Sequence, residues 1–396
     1  MRGRKARVAR WAVFGLLVAS LSVVAAGCGG GDGDGGGAST ELEGLGTSLE
    51  EVQTLAREEG QVNIVQWPQY ATLVDEFEAA TGCQVKTKDA ATGDDMISLI
   101  QSGEYDGVSA SGHTSVRLMA AGDVAPVNTD LLLNYADVSE GIKNQSYNSK
   151  DGQPYGAPHG RGPNLLVFRT DEVSPAPDSW SVIWDENTPY KGKISIYDDS
   201  IFIADAAIYL KATQPDLGIE DPYQLTQEQF DAAVALLKTL APNVGEWWAD
   251  YAKQIQSFAN KDSVIGTTWP LQVNILKGDK QPVEGIKPTE GTTGWSDTWM
   301  ISSTAQNPNC MYLWMDHMMA PKTQATVAEG FGEAPVNLKA CELTKNPDHC
   351  TEFHADDESW WEDVYYWDTP TEDCGGAGGT CVTQEDWRNA WTEIRG

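Results

Sequence analysis

Basic residues are scarce in this chain. Its 396 residues include 27 Lys and Arg against 58 Asp and Glu, a formal net charge of −31. Such a surface repels nucleic acid and anionic lipid, so neither is expected as a partner. Catalytic signatures are missing as well. There is no G-x-S-x-G elbow, H-E-x-x-H, P-loop or C-x-x-C. None of the five histidines has a metal partner at i+3 or i+4 on a predicted helix, so neither metal nor cofactor is expected. Adjacent acids such as Asp198-Asp199 and Asp356-Asp357 suit acid–base work, but 58 acids produce such pairs by chance. After the first 27 residues no apolar run approaches 18 residues, so no later segment is expected to span a bilayer.

The first 27 residues are the exception to the acidic rule. Arg2, Arg4, Lys5, Arg7 and Arg10 precede an uncharged run over 11–26, and Ala25-Ala26-Gly27 leads into Cys28. A basic head, a short apolar run and a small-residue cut form a secretion signal. A cysteine at the cut is the bacterial lipoprotein pattern, with cleavage before Cys28 and acylation on it. The run is short of the ~20 residues that cross a bilayer. Residues 29–41, rich in glycine, form a flexible tether, which would hold a monomer at the outer face of the cell membrane, in a periplasm or at the cell surface.

Six other cysteines remain. An even number in an exported chain indicates three disulfides. Fifteen connectivities are open. The local pairs Cys341–Cys350 and Cys374–Cys381 are favoured, which leaves Cys83–Cys310.

Patterning predicts alternating elements. A capping box at Ser48–Glu51 opens a helix that Gly60 closes, and a strand follows over 62–66. Helices are predicted over 71–81, 96–101 and 114–121, with strands over 84–88 and 107–109 between them. A second region carries strands over 165–168, 193–197, 263–268 and 299–302, and helices from Thr226, over 246–260 and over 312–319. The alternation argues for α/β architecture with sheets that are mainly parallel. A chain this long suggests two lobes.

The fifteen tryptophans carry the functional signal. Trp67 ends the first predicted strand, Trp269 follows the 263–268 strand, and Trp295-Ser296-Asp297 precedes another. Ligands of open α/β sheets bind beyond the carboxyl ends of strands. Aromatic faces beside carboxylates suit an organic cation, at about 0.5–2 kcal/mol per ring.

These segments resemble the solute-binding proteins of bacterial ABC importers, most closely the spermidine/putrescine-binding type. The likeness rests on Val65-Gln66-Trp67-Pro68-Gln69-Tyr70, Asp106-Gly107-Val108 through Ser111-Gly112-His113, Tyr190-Lys191-Gly192-Lys193 through Asp198-Asp199, Gly266-Thr267-Thr268-Trp269 and Trp295-Ser296-Asp297. It implies a type II periplasmic-binding-protein-like fold, two-lobed, each lobe a mixed, mainly parallel sheet flanked by helices. The ligand cleft lies between the lobes. It further implies that Trp67, Tyr70, Trp269 and Trp295 wall a ligand, that Asp297 and Asp199 pair with ammonium groups, and that Ser111 hydrogen-bonds.

Three departures accompany the likeness: His113 replaces a tyrosine, Phe202 a second carboxylate, and Arg161 an aromatic. One acid fewer and one cation more favour a zwitterion or mono-cation over a long polycation, with Arg161 either facing the cleft or bonded to a carboxylate elsewhere. Asp368, in Tyr365-Tyr366-Trp367-Asp368, is a substitute acid. The adjacent tyrosines leave a ferric-ion alternative. The expected division is a signal over 1–27, anchor and linker over 28–47, and the first part of lobe 1 over 48–160. Lobe 2 follows over 161–295, the second part of lobe 1 over 296–340, and a disulfide-rich tail on lobe 2 and the hinge over 341–396. The leading expectation is an extracellular receptor that captures a polyamine or related cation and hands it to an ABC permease. An exported enzyme and a surface adhesion lipoprotein are the alternatives from other classes.

Overall fold

The computed structural model describes residues 42–67, 70, 73–90, 92–372, 374 and 380–396. The leader, Cys28 and the 29–41 tether lie outside the described residues. Among those described, the strands in chain order are β1 Gln61–Gln66, β2 Gln84–Asp89, β3 Gly107–Ala110, β4 Ser149–Lys150, β5 Gln153–Pro154, β6 Gly156–Pro163 and β7 Leu165–Arg169. They continue with β8 Ile194–Tyr197, β9 Val244–Trp248, β10 Ile265–Thr268, β11 Val283–Ile286, β12 Thr292–Ile301, β13 Ala334–Pro335 and β14 Val364–Tyr366.

Two sheets organise these strands. The larger runs β13-β6-β12-β3-β1-β2, with β14 also paired to β12; the smaller runs β11-β7-β10-β8-β9. The chain leaves the larger sheet at Asn164, between β6 and β7, and returns to it across residues 287–291, between β11 and β12. Each sheet divides evenly between parallel and antiparallel pairings, rather than being mainly parallel. β1 pairs parallel with β2 and β3, while β12 runs antiparallel to β3 and β6. The antiparallel pairs gather at the strands that follow a crossing between the sheets without a crossover helix: β7 in the smaller sheet, beside β10 and β11, and β12 in the larger, beside β3 and β6.

Local chemistry sets the helix ends. Ser48 accepts from the Glu51 amide at the start of Leu49–Glu59, and Gly60 closes that helix in the left-handed region, φ 66°. Thr226 and Gln229 form a full capping box for Gln227–Leu240, which buries Phe230, Val234, Leu237 and Leu240. The helix expected over 246–260 divides. Its first residues form β9, paired with β8, and Asp250 then caps a shorter helix, Tyr251–Asn260. Adjacent tryptophans favour a pleated surface, and the Asp250 carboxylate accepts the Ala252 amide that opens the helix. β12 starts well before the expected 299. All ten of its residues are buried, so no polar alternation marks where it begins.

Trp180, Trp248, Trp299, Trp314 and Trp387 fill the interior of the two lobes. Cys83–Cys310 ties the segment before β2 to the helix Pro308–Met319, and the tail contains Cys341–Cys350 and Cys374–Cys381. That tail touches both sheets. β14 lies beside β12, whereas Trp387 and Trp391 of the helix Gln384–Arg395 pack on Phe230 and Phe202.

Candidate functional site

A cleft opens between the sheets, lined by Trp67, Ser111, Trp269, Leu271, Trp295, Asp297, Phe331 and Trp367. Its volume is about 50 Å³. That is room for about four waters. Aromatic rings make up most of the wall, and no lining residue is basic.

Strand parity builds the site. Side chains on β12 alternate between faces, so Thr293, Trp295 and Asp297 share one face while Ser296 takes the other. Antiparallel β6 follows the same rule: Gly162 lies opposite Trp295, Gly160 opposite Asp297, and Arg161 opposite Ser296. Gly162 is required here, because a Cβ would sit 2.3 Å from the Trp295 ring. Gly112 is required likewise, since a Cβ there would strike the carbonyl of Trp367. These two glycines let the larger sheet and the tail bring their rings close to the backbone.

Asp297 is 3% exposed. Its Oδ1 accepts the Ser111 hydroxyl at 2.6 Å, and its Oδ2 accepts the Tyr70 hydroxyl at 2.9 Å. Ser111 stands at the N-cap of Gly112–Ala121, yet its hydroxyl makes no cap bond and serves the carboxylate instead. Burial pushes the Asp297 carboxyl above its usual range, and the two hydroxyls pull it back only in part. Behind it lies Glu333, also fully buried and raised well above the usual range, by burial first and by Asp297 second. His159 Nδ1 is 3.5 Å from Glu333 Oε1, but burial drives His159 down to about 3 and keeps it neutral. Among the described residues, the back of the cleft therefore carries two carboxyl groups and no buried cation facing them.

The candidate residues separate into two groups. Trp67, Ser111, Trp269, Trp295 and Asp297 come together in the cleft. The other five do not line it. Tyr70 is fully buried, stacked on Phe331 at 5.0 Å, and supports Asp297 from behind. His113 is buried with its ring edge-on to Trp367 at 5.4 Å. Asp199 caps the short turn Ser200–Phe202, accepting the Ile201 amide at 3.0 Å. Asp368 accepts from Ser146 at 2.9 Å and from the Thr369 amide.

Arg161 points away from the cleft, on the opposite face of β6 from Asp297. Its guanidinium makes a two-bond contact with Glu358, at 2.7 and 3.0 Å, and lies 4.2 Å from the Trp361 ring. The parity that places Gly160 and Gly162 toward the cleft forces Arg161 outward. Phe202, in place of an expected acid, packs on Trp184 and Trp391.

Three lining residues were not anticipated: Leu271, Phe331 and Trp367. Trp367 is the instructive one. The Tyr365-Tyr366-Trp367-Asp368 run suggests a tail element at the cleft, and its amide donates to Gly294 at 2.8 Å, where β14 meets β12. The ring, rather than the neighbouring acid, enters the wall.

The profile of the bacterial extracellular solute-binding protein family matches residues 72–351. The spermidine/putrescine-binding periplasmic protein 1 of Haemophilus influenzae is 26% identical over 298 residues, which is 72% of this chain and 79% of that protein. The solved spermidine/putrescine ABC transporter substrate-binding protein of Streptococcus pneumoniae superposes with a TM-score of 0.68 at 20% identity, covering 85% of this chain and 99% of its own. A binding protein from A. tumefaciens B6, solved with glucopine, gives 0.67 at 19% identity, with coverage of 85% and 99%. The shared fold is the two-lobed type II arrangement of mixed sheets and flanking helices.

Proposed function

Because the chain belongs to the bacterial extracellular solute-binding protein family, whose members bind solutes rather than transform them, we propose that it captures a small organic amine and delivers it to an ABC permease. The observation that carries this reading is Asp297: a buried carboxylate whose hydrogen-bond partners are two neutral hydroxyls, at the back of an aromatic cleft. Burying an unpaired charge is costly, and the raised carboxyl reflects that cost. A cation entering the cleft supplies the missing charge. The rings of Trp67, Trp269, Trp295 and Trp367 supply negative faces for an ammonium and apolar contact for its methylenes.

With Arg161 bonded to Glu358, the described residues of the cleft offer no basic partner for a ligand carboxylate, which favours an amine over a zwitterion. Tyr365 and Tyr366 are not among the lining residues, which disfavours a ferric ion. The names of the relatives from H. influenzae and S. pneumoniae, both spermidine/putrescine binders, point the same way. The lobes would close around the amine by bending at residue 164 and residues 287–291 and so present a joint surface to the permease. The leader ending at Cys28 would keep the receptor at the outer face of the cell membrane as a lipoprotein.

Calorimetric titration with putrescine and spermidine tests the reading. Wild type is expected to bind at least one of them at micromolar concentration or better. Asp297→Asn keeps the shape, removes the charge and should weaken binding about 100-fold or more. Unchanged affinity in that variant would remove Asp297 from the site.

A further inference from the structure

Glu333 lies behind the cleft without lining it. It is 1% exposed and sits between the helix Pro321–Phe331 and β13. Its carboxyl rests against the Cα of Gly160, where a Cβ would fall 2.3 Å from the Glu333 carboxyl carbon. Gly160 pairs with Asp297 across β6 and β12, and directly paired residues project to the same face. The two carboxyls therefore lie on one face of the larger sheet, at the same rung. Beside that rung the register shifts and leaves His159 without a partner on β12. Such a bulge re-aims a side chain, and the His159 ring comes between Tyr70 and Glu333.

The two acids are unequally supplied with donors. Asp297 accepts two hydroxyls, from Ser111 and Tyr70. Glu333 Oε1 has only His159 Nδ1 near it, at 3.5 Å, and Oε2 has no hydrogen-bond partner. The same Nδ1 is 3.5 Å from the Tyr70 oxygen, so Asp297, Tyr70, His159 and Glu333 form one buried chain. The neighbouring elements bring no opposing charge to the Glu333 carboxyl. His349 places its Nε2 at 2.9 Å from the Glu333 backbone carbonyl, not the side chain. Arg161, opposite Ala334, is spent on Glu358. A buried carboxyl with so few donors is cheaper neutral than charged. Two acids this placed, with no cation between them, titrate as a pair.

We propose that amine capture is proton-coupled: the Asp297–Glu333 pair retains a proton in the empty receptor, and the arriving ammonium expels it to solvent. The proposal rests on the amine-capture reading and adds the proton. The ammonium keeps its own hydrogens, so one positive charge enters the cleft as one leaves, and the buried net charge is unchanged. Glu333 does not touch the amine. It is a positioning residue that acts through Asp297 and sets how affinity depends on pH. Burial first and Asp297 second raise its carboxyl, the direction that this coupling requires.

Calorimetry with putrescine and with spermidine, in phosphate and in Tris at one pH, counts the protons released, because the two buffers differ in ionisation enthalpy. Wild type is expected to release about half a proton to one proton per receptor. Its affinity should rise about three- to tenfold per pH unit between about pH 6 and about pH 8, where an alkylammonium stays charged. Glu333→Gln keeps the shape without the second acid. It should still bind, with proton release near zero and a flat pH profile. The amine-induced infrared difference spectrum should show loss of a protonated-carboxyl band in wild type and no such loss in Glu333→Gln. Wild type that binds amine with no proton release would overturn this proposal and leave amine capture standing. Undiminished release or an unchanged pH profile in Glu333→Gln would overturn it as well. Failure of wild type to bind either amine would overturn both readings.

Discussion

The two walls of the cleft come from different sheets and bring different chemistry. The larger sheet brings charge: Asp297 on β12 with Ser111 and Tyr70 donating to it, and Glu333 immediately behind. The smaller sheet brings apolar surface and no charge, through Trp269 and Leu271, whereas Trp67 and Trp295 stand on the larger sheet beside the carboxylate. Trp269 follows β10 and is braced by Tyr197 at 5.4 Å and Trp248 at 5.0 Å. The carboxylate wall is polar and buried, and burial raises both of its carboxyls. The rings around Trp269 pack on one another. On this division the larger sheet carries the carboxyls together with Trp67 and Trp295, and the smaller sheet faces them with Trp269 and Leu271.

The largest expected effect lies in the charged wall and concerns stability. Burial raises the Glu333 carboxyl well above 4.5, the ordinary value to which it returns in the unfolded chain. The folded state thus binds more protons than the unfolded state above that value. Its raised carboxyl favours folding at low pH, and the benefit is lost as pH rises from about 4.5 toward the folded pKa, at up to about 1.4 kcal/mol per pH unit. Glu333→Gln retains shape and a hydrogen-bond donor toward His159 without a titrating group. It is expected to match wild type near pH 4.5 and to exceed it at pH 7.5 in urea unfolding. Parallel pH profiles for the two proteins would show that the charged wall is not strained. A smaller effect is expected from the ring wall. Trp269→Ala should weaken amine binding about 10-fold, the scale of one desolvated cation–π contact, and less than Asp297→Asn does. A loss larger than that of Asp297→Asn would reverse the ranking of the two walls.

The sequence made some of this legible and concealed the rest for identifiable reasons. Helix starts at Ser48 and Thr226 were readable because capping is local chemistry, and Trp67 and Trp269 because strand ends are marked by composition. The length of β12 was hidden, because a strand buried on both faces has no alternation. Tyr70 and Asp199 were recognisable as residues near a site, but not in their geometry: one is spent on Asp297 and the other on a helix cap. Glu333 carried no local signal at all. It is one acid among 58, and only its place behind Asp297 sets it apart.

Arg161 gives the smallest expected effect on the ligand and the sharpest test of where the charged wall ends. It sits one residue from Gly160 and Gly162, which face the cleft, yet its own side chain lies on the far face of the strand with Glu358, Tyr366 and the Trp361 ring. Arg161 is 3% exposed while the Glu358 side chain is 59% exposed, so removing the guanidinium returns Glu358 to water rather than stranding it. Arg161→Met keeps most of the apolar stem against Trp361 and removes the two-bond contact. The tail should loosen, at a cost of about 1–2 kcal/mol in thermal unfolding, while amine affinity stays within about twofold of wild type. A large change in affinity would mean that strand parity does not insulate the two faces of β6 and that the tail belongs to the site. Unchanged affinity with a lowered melting temperature would confine the binding charge to the face that carries Asp297.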